Sequence, residues 1–167
     1  QAMLYSTASY NTGVGSNVGS GTNGITTYSR CNFFGPNAGL VLCNGSDNTL
    51  FGYTAGLVLT AGSRNLVIGN FALTSSITGT NNLLIGNGLQ TSTTGANDEM
   101  NIGGLIFGKM SSISTVGIGI QPTAKLHLTA GSTSVSSAPL KFTSGTLMTT
   151  PEIGAVEFLT DDLFHTK

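Results

Sequence analysis

Charge is what this chain has least of. Of 167 residues, 6 are Lys or Arg and 7 are Asp or Glu, 8% in all, against roughly 25% in an ordinary domain. The basic residues are scattered, so there is no electrostatic footprint for nucleic acid. Low charge beside 39% hydrophobic residues argues against disorder of the highly charged kind. No apolar run reaches the roughly 20 residues of a membrane helix, so no membrane insertion is expected, and no signal peptide is visible. The 2 cysteines are Cys31 and Cys43. Their spacing fits no zinc pattern and no His lies near them. Buried free thiols are the expected state; a disulfide closing one turn of chain stays open.

Chemistry is scarce for the same reason. The acids are Asp47, Asp98, Glu99, Glu152, Glu157, Asp161 and Asp162, and Asp47 alone precedes residue 98. Adjacent Asp98 and Glu99 point apart in an extended chain, so no intrachain carboxylate pair is expected. His127 and His165 read as exposed strand residues rather than as bases or ligands. Gly117 and Gly119 lack the third glycine and the following helix of a nucleotide loop. The sequence predicts no catalytic residue, no cofactor and no metal.

What the chain has is a period. Rungs begin at Asn32, Asn48, Asn65 and Asn82. Gly35, Gly52, Gly69 and Gly86 fall in one column, 17 apart. Ala38, Ala55 and Ala72 form a second column; Gly45, Gly62 and Gly79 form a third, with Gly95 one place off. Each rung opens on a short β-rich run such as Leu66-Val67-Ile68, too short for a helix. A glycine follows, where the chain can turn with positive φ. A second run, clearest at Leu57-Val58-Leu59, reads as a second strand before another turn. The fold class expected is all-β: a parallel β-solenoid or β-roll of 17-residue rungs over residues 32–108. Residues 1–31 read as an irregular first rung, because Gly15 to Gly19 echoes Gly35 to Gly39 at an offset of 20. Residues 109–130 read as a strand connector. Residues 131–167 read as a linker, a strand at Leu140-Lys141-Phe142 and a β-hairpin, turned at Asp161-Asp162.

The rungs also imply roles. Asn48, Asn65 and Asn82 read as a structural ladder, each amide bonding its neighbours. In Val67-Ile68 and Leu84-Ile85 adjacent apolar residues face opposite ways, so one face needs cover from outside the rung. These four, with Leu57 and Leu59, are the expected subunit interface. Leu40, Leu42, Leu57 and Leu59 are expected to include residues buried against another chain or segment, and Ser75 and Thr91 to be wet.

The repeat Asn-x-φ-φ-Gly-x-x-Ala (φ apolar) resembles the head repeats of trimeric autotransporter adhesins and of bacteriophage fibres. Val116-Gly117-Ile118-Gly119, followed by Pro122 and Lys125-Leu126-His127-Leu128, is similar to a motif of phage tail-fibre proteins. Residues 138–164 resemble a segment common in phage structural proteins. The resemblance implies an intertwined homotrimer in a virion fibre, tail or head, assembled in the host cytoplasm. Its partners would be other virion proteins and a host-surface glycan or protein receptor. A bacterial surface adhesin head shares the repeat, and a glycan depolymerase with an interchain site is the enzymatic alternative.

Overall fold

The computed structural model describes residues 9–21, 27–42, 44–75, 78–111, 114–134 and 138–140, and the backbone of 156–159 and 162–165. The described residues are all-β and contain no helix. Two compact units divide at Leu128 and Thr129.

The first unit holds a nine-stranded sheet in sequence order. Its strands are β1 (Thr12–Val14), β2 (Asn32–Phe34), β3 (Thr49–Phe51), β4 (Leu66–Ile68), β5 (Leu83–Ile85), β6 (Glu99–Ile102), β7 (Ile106–Lys109), β8 (Thr115–Ile118) and β9 (Leu126–Leu128). From β1 to β6 every pairing is parallel. The offset is 20 between β1 and β2, as Thr12 meets Asn32, and 17 thereafter, as Thr49 meets Leu66. This is a β-solenoid of 17-residue turns. Beyond it β6, β7 and β8 pair antiparallel, and β8 with β9 is parallel again.

Each rung contributes one strand, not the two expected. The stretch carrying Leu40-Val41-Leu42 or Leu57-Val58-Leu59 is a chain of tight turns. Ala55, Leu57 and Leu59 donate their N–H groups to Gly52, Thr54 and Gly56, each three residues back. The backbone explains it. Asn37, Thr54, Phe71 and Gly88 have φ of 55–67°, and Gly39, Gly56 and Leu73 have 53–64°. Two left-handed residues so close together cannot lie in a strand. This side of the rung is still laddered to its neighbour: Gly39, Val41 and Gly56 donate to the carbonyls of Ala55, Leu57 and Ala72 at 2.9–3.1 Å. A three-residue apolar run cannot by itself tell such a ladder from a strand.

The interior is filled by alternation. Phe33, Leu50, Val67 and Leu84, the middle residues of β2 to β5, are fully buried and share a core with Ala38, Ala55, Ala72, Leu42, Leu59 and Leu73. Volumes compensate from rung to rung. A Cβ on Gly39 would lie 2.5 Å from the Phe33 ring, and one on Gly56 would lie 2.7 Å from Leu50. Where the strand residue shrinks to Val67, the same column carries Leu73, fully buried despite its left-handed φ of 53°. Close packing of one narrow interior demands this exchange.

The described strands of the second unit are β10 (Val156–Leu159) and β11 (Asp162–His165), paired as a hairpin. Leu159 pairs with Asp162. Asp162 is therefore a strand residue rather than part of the turn expected at Asp161-Asp162. The strand expected at Leu140-Lys141-Phe142 falls largely outside the described residues.

Candidate functional site

Two continuous features run along the stack: an inner column of polar side chains and an outer apolar sheet face. The inner column stands just before each strand, where the chain turns through Arg30, Asp47, Arg64, Asn81 and Asp98, all with φ of 56–62°. Asn48, Asn65 and Asn82 follow, buried. Asn65 donates from its backbone N and its Nδ2 to Asn48 Oδ1, both at 3.0 Å, and Asn82 does the same to Asn65 Oδ1. The same Nδ2 groups reach the Gly79 and Ala96 carbonyls at 2.8 and 2.9 Å, and Asn48 Nδ2 reaches Gly62 at 2.8 Å. A carboxamide is needed because each rung requires both a donor and an acceptor at one buried point. The neighbouring carbonyls approach closely because Gly45 and Gly62 have no Cβ. One added there would lie 1.8 or 2.1 Å from the next rung's carbonyl oxygen.

The column extends past the asparagines. Asn32 is not in it; it pairs with Thr49 as a strand residue. Cys31 occupies the position instead and accepts from Asn48 N at 3.4 Å, while its own N donates to Asn11 Oδ1 at 2.9 Å. Cys31 is a free, buried thiol, and burial pushes its pKa up. Cys43 lies outside the described residues. At the other end stands Glu99, whose N donates to Asn82 Oδ1 at 2.9 Å. Its carboxylate is 5% exposed as a residue and accepts from Lys109 Nζ at 2.8 Å and from Ser92 N and Oγ. Burial pushes this carboxyl up, but the hydrogen bonds from Lys109 and Ser92 outweigh it, so the net shift is downward. Cys31 and Glu99 were legible as column members only by counting 17 back from Asn48 and forward from Asn82.

The outer face is the other side of the same strands. Paired positions put Val14, Phe34, Phe51, Ile68, Ile85, Ile102, Ile106, Ile118 and Leu128 in one column. Beside it run Leu66, Leu83, Met100, Gly108, Val116 and Leu126. Phe34 and Phe51 touch, with ring centroids 5.7 Å apart. Eight strand spacings make this face roughly 38 Å long. Phe51, Leu66, Ile68, Ile85, Val116, Ile118 and Leu126 are exposed.

The expected interface residues therefore divide. Ile68 and Ile85 lie on the outer face, and Leu57 is half-buried on the turn side. Val67, Leu84 and Leu59 do not face outward. All three are fully buried in their own chain's core: Val67 and Leu84 because the middle residue of a three-residue strand points opposite to its neighbours, Leu59 because the tight turns lay it against the strand. Leu42 is buried in the same core, Leu40 is half-buried, Ser75 is exposed and Thr91 half-buried. Gly35, Gly52, Gly69 and Gly86 form the corner after each strand, with φ of 120–144°, a region essentially confined to glycine.

Titratable groups are few. Arg30 Nε lies 2.6 Å from Asp47 Oδ1, a hydrogen bond that lowers the Asp47 pKa and raises that of Arg30. His127 Nδ1 accepts from Thr123 N at 3.2 Å. Among the described residues no three His, Cys, Asp or Glu side chains cluster as metal ligands, and no helix is long and apolar enough to cross a membrane. No family model, curated protein or solved structure matches this chain.

Proposed function

We propose that the chain is a non-enzymatic structural segment of a bacteriophage virion fibre, tail or head, assembled as a homotrimer and contributing to host-surface attachment. One observation carries the assembly: on the outer face of β1 to β9 the column from Val14 to Leu128 is apolar throughout, and among the described residues Val14, Phe51, Leu66, Ile68, Ile85, Val116, Ile118 and Leu126 stay exposed. A flat, nearly uncharged sheet face of that size is a hazard unless something covers it. The chain from Cys31 to Asn97 carries Asp47 and Arg64 as its only charges, so little opposes association. A second copy presents apolar residues at the same strand spacing, and closed rotational symmetry covers the face without growing filaments. Burial of one such side chain is worth about 1.5–3 kcal/mol, so several per chain make assembly obligate. The count of three and the virion setting follow from the likeness of the repeat and of Val116 to Leu128 to fibre proteins.

Native mass measurement tests the reading. Three chains are expected, and Ile68→Asp with Ile85→Asp is expected to dissociate them while the solenoid stays folded. A wild-type monomer that stays folded and soluble would defeat the oligomer. Turnover of host-surface glycan by the purified assembly would defeat the non-enzymatic part.

A further inference from the structure

The last turn of the solenoid ends its ladder differently from the others. On the turn side, N–H groups of one rung donate to carbonyls of the next. Val41 N reaches Leu57 O at 3.1 Å, and Gly39, Gly56 and Leu73 do the same to Ala55, Ala72 and Leu89. Steps of 17 from Val41 lead to Val58, Ser75 and Ser92. At Ser75 the acceptor is already a side chain, Gln90 Oε1 at 3.0 Å. At Ser92 no further solenoid turn follows, since β6 runs on into antiparallel β7. The acceptor there is Glu99: Ser92 N donates to Oε2 at 2.8 Å and Ser92 Oγ donates to Oε1. The carboxylate stands in for the carbonyl that one more rung would supply.

Three elements converge on this group. Glu99 itself opens β6, and its N is held by Asn82 Oδ1 at 2.9 Å. Lys109, paired opposite it on β7, donates from Nζ at 2.8 Å and also reaches Asn97 O at 3.3 Å. Ser92 comes from the last turn. The Glu99 side chain is 7% exposed and that of Lys109 42%. Asp98, next in the chain, turns away to Asn81, whose Nδ2 donates to it at 2.6 Å. Among the described residues Lys109 is the one charged group facing Glu99. An ionised carboxylate has acceptor positions for all three donors and an opposite charge for Lys109. A protonated one gives a position to its own O–H and loses the charge.

We infer that Glu99 is an acid-sensitive latch: its protonation opens residues 86–98 together with the β6–β7 hairpin, while the rungs of β2 to β4 stay stacked. In a solenoid each turn touches only its neighbours, so loss of what closes an end frays that end and spares the rest. The rungs below are held by Asn48, Asn65 and an apolar interior, none of which titrates. Asp47 does titrate, but its partner Arg30 and the carboxylate are both well exposed, and such pairs contribute little to stability. Lys109, half in solvent, turns to water once the charge is gone, whereas Ser92 N has no further rung to turn to. The latch belongs to the single chain and is independent of the fibre reading.

The test is hydrogen exchange of the full chain, corrected for intrinsic rates and followed from neutral pH to below the ordinary carboxyl value of 4.5. In acid the amides of residues 86–98 and of β6–β7 are expected to lose protection by about tenfold or more, the scale of one hydrogen bond to a charged group. Those of β3 and β4 are expected to keep theirs. Glu99→Gln keeps the shape and cannot titrate, so its last turn is expected to be equally open at both ends of the pH range. Lys109→Met leaves Glu99 its charge without the cation that favours it, so opening is expected to begin at a higher pH; a merely structural Lys109 would not move that profile. Should Glu99→Gln fail to fold, the Lys109→Met profile decides. The latch is overturned if β3 and β4 lose protection together with residues 86–98, or if that segment stays protected in acid. It is equally overturned if Glu99→Gln still opens as the pH falls, or if Lys109→Met opens at the wild-type pH.

Discussion

Rungs β2 to β5 and strands β7 to β9 share one sheet and one outer apolar face, yet only the rungs have an interior. Each turn of the solenoid spends 17 residues from strand to strand, enough to leave the sheet, run back through tight turns and lay Ala55, Leu59 or Leu73 against the strand. Successive strands from β7 to β9 start only 9 and then 11 residues apart, too few to circle back. The fully buried apolar residues accordingly stop at Leu84, while Val116, Ile118 and Leu126 stay exposed. A rung supplies its own second layer. The later strands have only what lies beyond the chain's own sheet, and apolar residues at those positions make sense where a partner covers them.

The sharpest way to break this contrast is to place one charge on each side of the same strand. Val67→Asp puts an unpaired carboxylate in the core and is expected to cost more than about 4 kcal/mol, which circular dichroism would record as loss of the folded chain. A folded Val67→Asp protein would show that the rung interior is not what holds the stack. Asn65→Ala comes next. It deletes the bonds to Asn48 Oδ1 and Gly79 O and strands the Asn82 donors, so about 2–4 kcal/mol is expected in a denaturant titration. An Asn65→Ala protein as stable as the wild type would mean that water replaces the amide.

At the boundary between the two regions, Glu99 gives a pH-dependent effect. Its folded pKa is depressed below the ordinary carboxyl value of 4.5, so protonation favours the unfolded chain. The stabilisation is complete above about pH 4.5 and fades as pH falls through the folded value. Asp47 titrates in the same direction, which is why the informative measurement is the difference in melting temperature between wild type and Glu99→Gln. That difference is expected to shrink as the pH drops below 4.5; a constant difference would show that the Lys109 contact contributes nothing. The smallest effect is expected from Leu126→Asp on β9, within about 0.5 kcal/mol for the isolated chain. Hydrogen exchange should agree, with the amides of β3 to β5 opening only on global unfolding and those of β8 and β9 opening earlier.

The sequence alone determined the period, the parallel stacking and the structural use of Asn48, Asn65 and Asn82, because each depends on the same residue recurring every 17 places. It also determined that one apolar residue of each strand must look outward, since alternation along a strand is a property of the backbone. Which one it is was decided only in three dimensions: Val67 and Leu84 point in, Ile68 and Ile85 point out, and three residues without flanking structure do not reveal the direction. The turn nature of Leu57-Val58-Leu59 was likewise hidden, because it depends on left-handed backbone at Thr54 as well as at Gly56, and a threonine side chain does not announce it. The inclusion of Cys31 and Glu99 in the polar column was decided by position rather than by residue type. Cys31 needs only an acceptor facing the next rung, which its sulfur supplies to Asn48 N, and Glu99 needs only its backbone N–H toward Asn82 Oδ1, its carboxylate being paired with Ser92 and Lys109.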